Sequence, residues 1–330
     1  MGMMQEAEAQ ITTHNLATEN EGIPSVRTDS QEKELPAVAK PFVKWAGGKR
    51  WLLKSIHEYI PQELTEGKIK RYVEPFVGGG AVFFHIKEHY NIKEFIINDK
   101  GSELIETYRA IQKDVETVIE LLSEIEKNYQ NEGDYKRFYY EKRTKFNQIR
   151  EEGGPELAAL FIFLNKASYN GIFRLNQRGE YNVPVGYHKD FAETDKENLR
   201  KVSKTLQDVK ILNKDFRELK AEITKDSFIY MDPPYTVAHE NNGFIEYNKK
   251  IFSWEDQEAL KEFAEKCVQK GARVMISNAK HENILDLYKE FKRYPLSRAS
   301  LIGGKGAERK HINEALFLSY KPSNSEGLNG

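Results

Sequence analysis

One cysteine in 330 residues, Cys267, excludes an internal disulfide and any zinc site built from clustered thiolates. No apolar run approaches the roughly 20 residues that a membrane-spanning helix needs. The opening residues, MGMMQEAEAQITTHN, lack the basic and then apolar blocks of a secretory signal. The eight histidines are scattered and form no HxH or HExxH pair, so no histidine-based metal site is expected. No internal repeat is visible. A strong charge imbalance is missing too: the formal net charge is −1. That value hides an asymmetry, because residues 1–40 carry seven acids and three bases, which leaves 44 acids and 47 bases, a net +3, for the rest. An excess of this size permits a nucleic-acid partner without requiring one.

What is present is enough for one large globular unit or two smaller ones, with 39% hydrophobic residues. Residues 1–40 are polar, nearly free of aromatics and without periodicity, and read as a disordered tail ending near ELPAVAKP. Beyond Pro41, helix-like and strand-like pieces alternate. WLLKSIHEYI has helical spacing, with Leu52, Leu53, Ile56 and Ile60 on one side. RYVEPF and EFIIND read as strands, GGAVFFHIKEHY and SELIETYRAIQ as helices. After Asp114 the texture changes to long amphipathic helices and then to IFRLNQRGEYNVPVG, a predicted β-hairpin with Arg178 and Gly179 at its turn. Alternation resumes with strands in DVKILN, SFIYMD and ARVMISN, a helix ending at Gly271, and two last strands in RYPLSRASLI and EALFLSY. The layout is an α/β sheet interrupted by a helical insertion that carries a hairpin.

VEPFVGGGAVFF is a strand, a glycine turn and a helix, a form that lets a ligand lie against bare backbone. It lacks the Lys-Ser/Thr ending of a phosphate loop and is not a full GxGxxG. Asp99 ends the next strand about 20 residues on, where an acid binds ribose hydroxyls. A nucleoside ligand without phosphates suits this pair best. KWAGGKR is a second glycine turn, flanked by Trp45 and Lys49. In SFIYMDPPYT, Asp232 ends a strand, Pro233 and Pro234 stiffen the chain, and Tyr235 offers a flat ring. A fixed carboxylate, a fixed carbonyl and a stacking face form a clamp for a planar ring bearing an amino group.

In chain order, KWAGGKR, VEPFVGGG, IIND, LNKASYNGIFRLNQRGEYNVPVG, NKDF and DPPY resemble the Dam-type (D12 class) DNA adenine-N6 methyltransferases over about residues 41–322. The resemblance implies a Rossmann-like methyltransferase sheet with an inserted target-recognition domain. The division is 1–40 tail, 41–113 with 205–330 catalytic and cofactor-binding, and 114–204 recognition. It implies S-adenosyl-L-methionine as cofactor, held by Trp45, Lys49, Glu74, Pro75, Phe76, Gly78, Gly80, Asp99, Asp215, Phe216 and Asp232. The catalytic set is Asp232, Pro233, Pro234 and Tyr235. Double-stranded DNA is the implied partner, with adenine in GATC as target. Arg174 is assigned to a guanine, Ile172 and Pro184 to the thymine, and Tyr169 with Asn170 to the base stack; Arg178 and Arg298 complete the DNA set. The expected enzyme is cytoplasmic and nucleoid-associated, encoded by a bacterium or phage, with a monomer as the default state, a restriction nuclease as an optional counterpart, and no membrane or metal. Six bases and one acid in residues 292–310 read as a phosphate-tracking strip. There RASLIGGKGAERK departs from the family's Ser-Ala-Asn-Gly-like run. Two other readings follow from the residues: transfer to another amino-bearing substrate, as at NPPY sites, which Asp232 argues against, and a non-catalytic DNA-binding regulator.

Overall fold

In a computed structural model of the protein, residues 38–235, 252–299 and 311–322 are described. Five short runs rich in β-branched and aromatic residues pair in parallel: β1 (Arg71–Glu74), β2 (Glu94–Asn98), β3 (Val209–Leu212), β4 (Ser227–Met231) and β5 (Arg273–Ala279). The last two, β6 (Lys292–Ala299) and β7 (His311–Leu318), form an antiparallel pair, and β7 lies antiparallel beside β5. The sheet order is β3-β2-β1-β4-β5-β7-β6. The chain moves outward from β1 through β2 and β3, then returns to the other side of β1. That reversal opens a crevice at the carboxyl ends of β1 and β4, where sheets of this kind place ligands.

Alternation along the strands divides the interior in two. Tyr72, Phe95, Ile97, Phe228 and Tyr230 belong to one core, while Val73, Ile96, Ile229, Met231 and Ile276 belong to the other. Both faces are therefore buried, as a parallel sheet requires. The first core takes α1 (Gln62–Thr65), α2 (Ala81–His89), α3 (Ser102–Asn131), α4 (Tyr135–Ile149), α5 (Gly154–Ala167) and α6 (Lys196–Leu206). The second takes α7 (Trp254–Gln269) and α8 (Glu282–Leu287).

The helices between β2 and β3 begin as a continuation of the β2 crossover. Helix α3 breaks at Asp114 (φ −152°, ψ 71°), whose carboxylate accepts from Thr117 N at 3.2 Å and caps the second half. Apolar α5 is almost wholly buried against α3 and α4. After it, Asn176 organises a turn: Gly179 N donates to its carbonyl at 2.9 Å, and its side-chain oxygen accepts from Arg178 N and Glu180 N, both at 2.9 Å. Turn and direction agree with the predicted hairpin. The flanks differ, since they pair only through the bridges Ser168–Val185 and Leu175–Tyr181. The region is an irregular ribbon rather than two regular strands.

The helix expected at WLLKSIHEYI is also different. It forms two 3₁₀ turns, Leu52–Lys54 and Ile56–Glu58, that still bury Leu52, Ile56 and Ile60. Lys40, expected in the tail, is tied by its N–H and carbonyl to the Asn198 side chain at 2.8 and 2.9 Å. Residues 1–37 of the expected tail lie outside the described residues. So do Lys305, Arg309 and Lys310 of the basic strip, and the side chain of Arg298. No helix among the described residues is long and apolar enough to cross a membrane.

Candidate active site

The crevice at the carboxyl edge holds a cavity of about 660 Å³, a size suited to a nucleoside-sized ligand. Every predicted cofactor-binding and catalytic residue lines it, from Trp45 and Lys49 through Glu74–Phe76, Gly78, Gly80, Asp99, Asp215 and Phe216 to Asp232–Tyr235.

Its floor is glycine because nothing larger fits. Gly78 (φ 47°) and Gly80 (φ 75°) turn the chain left-handed after β1. A Cβ on Gly78 would stand 2.6 Å from Trp45 Cδ1, and one on Gly80 2.6 Å from the Tyr108 hydroxyl. Trp45 thus backs the glycine loop and also stacks on Phe173 of the ribbon, with ring centroids 6.0 Å apart. The Asp99 carboxylate accepts from Gly78 N at 3.0 Å and Gly101 N at 2.9 Å; burial raises its pKa against the pull of these amides. A wall of Phe76, Phe216 and Phe252, with centroids 5.5–6.0 Å apart, supplies an apolar aromatic surface. Asp215 sits beside it as the N-cap of a 3₁₀ turn, its carboxylate accepting from Arg217 N.

The acidic corner is built around one buried cation. Lys49, 3% exposed, donates to Asp232 Oδ1 at 2.7 Å and to the Gly47 carbonyl at 3.0 Å, with Glu314 Oε2 at 3.6 Å. The Tyr235 hydroxyl donates to Glu314 Oε2 at 3.0 Å, and its ring faces the Lys49 ammonium at 4.9 Å. Burial opposes the charge on Lys49, yet Asp232, Tyr235 and Glu314 outweigh it and its pKa rises. Burial pushes Asp232 up to about 6, against the pull of Lys49. Burial likewise holds Glu74 well above the usual carboxylate range, although Tyr72 donates to it at 2.6 Å. The corner therefore combines an ionisable acceptor facing the cavity with a carboxyl beneath it whose charged form burial disfavours.

Asn98, Glu314 and Ser277, whose hydroxyl lies 3.4 Å from that of Tyr235, were not anticipated. Asn98 donates to the carbonyls of Pro75 and Lys214 at 2.9 and 3.0 Å and accepts from Lys214 N at 2.9 Å, which joins the glycine-loop strand to the NKDF loop. Its signal was present in IIND, beside Asp99. Glu314 carries no local signal. It enters because β7 runs against β5 and pairs Glu314 with Ala279, at the same edge of the sheet.

The expected DNA residues stand apart from this cavity. Tyr169, Asn170, Arg174, Arg178 and Pro184 are exposed on the ribbon, Ile172 is half-buried, and Arg174 Nε donates to Asn182 Oδ1 at 2.9 Å. Asn170 is the one non-glycine residue with positive φ (58°) among the described residues. An amide joins ribbon to cavity: Asn165 bonds both the N–H and carbonyl of Lys44 (2.8 and 2.9 Å) and the Gly171 carbonyl (3.0 Å).

Residues 45–300 match the family of D12 class N6 adenine-specific DNA methyltransferases. The chain belongs to this family. It is 41% identical over 286 residues to the type II methyltransferase M.MjaIII of Methanocaldococcus jannaschii, covering 85% of this chain and 99% of that one. It is 34% identical to M1.LlaDCHI of Lactococcus lactis (85% and 95% covered) and 32% identical to the DNA adenine methylase of Escherichia coli K12 (86% and 96% covered). The enzyme transfers a methyl group from S-adenosyl-L-methionine to the N6 amine of adenine in DNA. The site fits that donor: a glycine turn that lines the cavity with bare backbone, a carboxylate held at the β2 tip and an aromatic wall.

Proposed function

We propose that the enzyme methylates adenine in GATC, rotated out of the duplex into the corner formed by Asp232, Pro233, Pro234 and Tyr235. Trp45, Gly78, Gly80, Asp99, Asp215 and Phe216 would hold the donor, with Glu74, Pro75 and Phe76 beneath it. When bound, S-adenosylmethionine supplies a sulfonium-activated methyl group. The remaining chemistry belongs to the chain. The adenine amine is a weak nucleophile because its lone pair is delocalised into the ring. Asp232 Oδ and the Pro233 carbonyl accept its two N–H bonds, draw the nitrogen toward sp³ and stabilise the positive charge that develops there. Lys49 holds Asp232 at a fixed angle, so orientation costs nothing at the moment of reaction. Tyr235 stacks on the base and offsets part of the few kcal/mol that unstacking costs.

The observation that supports this reading best is the pairing of Asp232 with buried Lys49 at the mouth of a glycine-floored cavity. On the ribbon, exposed Arg174 reads a guanine edge, Ile172 and Pro184 meet the thymine, Tyr169 and Asn170 occupy the stack, and Arg178 contacts the backbone, as does Arg298 from β6. The enzyme acts as a monomer, with residues 114–204 as its recognition domain. Labelled donor is incubated with duplexes that differ only in whether they contain GATC. Incorporation confined to the GATC duplex, with gained resistance to a methylation-blocked GATC nuclease, is expected; equal incorporation into both rejects the sequence assignment.

A further inference from the structure

Three histidines meet outside the cavity. His85 and His89 stand one helical turn apart on α2, with rings stacked 4.2 Å centroid to centroid. His57 arrives from the second 3₁₀ turn, and its Nε2 lies 3.1 Å from His85 Nε2. One ring nitrogen from each of the three lies within 4.8 Å of the other two. None of these residues lines the active-site cavity.

We propose that His57, His85 and His89 form a binding site for a divalent transition metal that prefers imidazole, such as zinc, nickel or copper, with water completing the coordination. Nitrogens bound at roughly 2.0–2.1 Å to a tetrahedral ion stand about 3.3 Å apart, close to the His57–His85 separation. His89 Nδ1 lies 2.8 Å from the His85 carbonyl, which only accepts, so that nitrogen carries the proton and Nε2 keeps its lone pair. His57 Nδ1 lies 2.6 Å from the Tyr90 hydroxyl, an outer partner of the kind that orients a ligating ring. His57 and His89 are exposed, so an ion has access and His89 has room to swing inward. The sequence expectation of no histidine site rested on missing HxH and HExxH pairs. HIKEH keeps the histidine spacing of the latter without its glutamate, and the third ring comes from 28 residues earlier. Lacking that glutamate base, the site is a cross-link rather than a hydrolytic centre. It would clamp the segment following the Lys49 turn to the helix that begins at Gly80.

The test uses full-length, tag-free protein stripped with chelator and titrated with zinc sulfate by calorimetry. One ion per chain with micromolar affinity is expected, with a melting temperature several degrees higher in saturating zinc and unchanged in magnesium. His89→Gln and His57→Gln should each weaken zinc binding at least tenfold while leaving metal-free melting and methylation as in the parent. Cobalt(II) should give visible absorption in the parent and not in the variants. Failure to bind stoichiometrically, or the same affinity in both variants, overturns the proposal.

Discussion

The acidic corner and the ribbon hold their charges in opposite ways. In the corner, Lys49 is 3% exposed and shared between two carboxylates, and every polar atom named there has a fixed partner. On the ribbon, Arg174 and Arg178 are exposed, and Arg174 is steadied by one amide. Chemistry on a weak nucleophile needs an acceptor whose direction is set before the substrate arrives, and a low dielectric makes that direction count. Recognition of a duplex needs charge that water can release to phosphate or to a base edge. In the roles proposed for them, deep pairing would disarm the ribbon, and loose solvation would disarm the corner.

The contrast breaks most severely at Asp232. Asp232→Ala should reduce methyl transfer by at least about a thousandfold while DNA affinity in a gel-shift titration stays near that of the parent; retained turnover removes Asp232 from its role. Lys49→Met comes next. It leaves the buried carboxylates of Asp232 and Glu314 without their cation, and chemical denaturation should show a loss of about 3–5 kcal/mol. A loss below 1 kcal/mol would mean that the pair is solvated like the ribbon. Arg174→Ala should cost about 1–3 kcal/mol of preference at one base while barely changing stability. A uniform loss on all sequences would make Arg174 a phosphate contact instead.

The mildest perturbation is pH. In the role proposed for it, Asp232 must be ionised to accept from the amine, so kcat should fall about tenfold per unit once pH drops below about 6. Its folded pKa lies above the ordinary 3.8, so this group favours folding in acid and that contribution is lost as pH rises through about 6. A flat kcat profile down to pH 5 would sever Asp232 from the reacting nitrogen.

Legibility followed the same divide. The strands announced themselves because short β-rich runs buried on both faces leave few other options, and the glycine loop and DPPY carried constraints written into adjacent residues. Glu314 was invisible because its meaning depends on a strand running backwards beside β5, a pairing with no sequence period. The 3₁₀ turns at 52–58 depart from the expected helix because the spacing of apolar residues fixes which of them are buried and does not separate 3₁₀ turns from an α-helix. The ribbon's turn is readable from Arg178 and Gly179, whereas the part of Asn176 in it and the irregular flanks depend on hydrogen bonds and packing. The histidine cluster escaped because one of its rings belongs to a separate stretch of chain.

Asn165 has a practical consequence for anyone who would redesign the ribbon proposed to read DNA. A single side-chain amide rivets the ribbon to the strip of backbone that leads into Trp45. A graft that imports another enzyme's ribbon without this rivet should change which site is marked only by slackening the pocket that holds the donor.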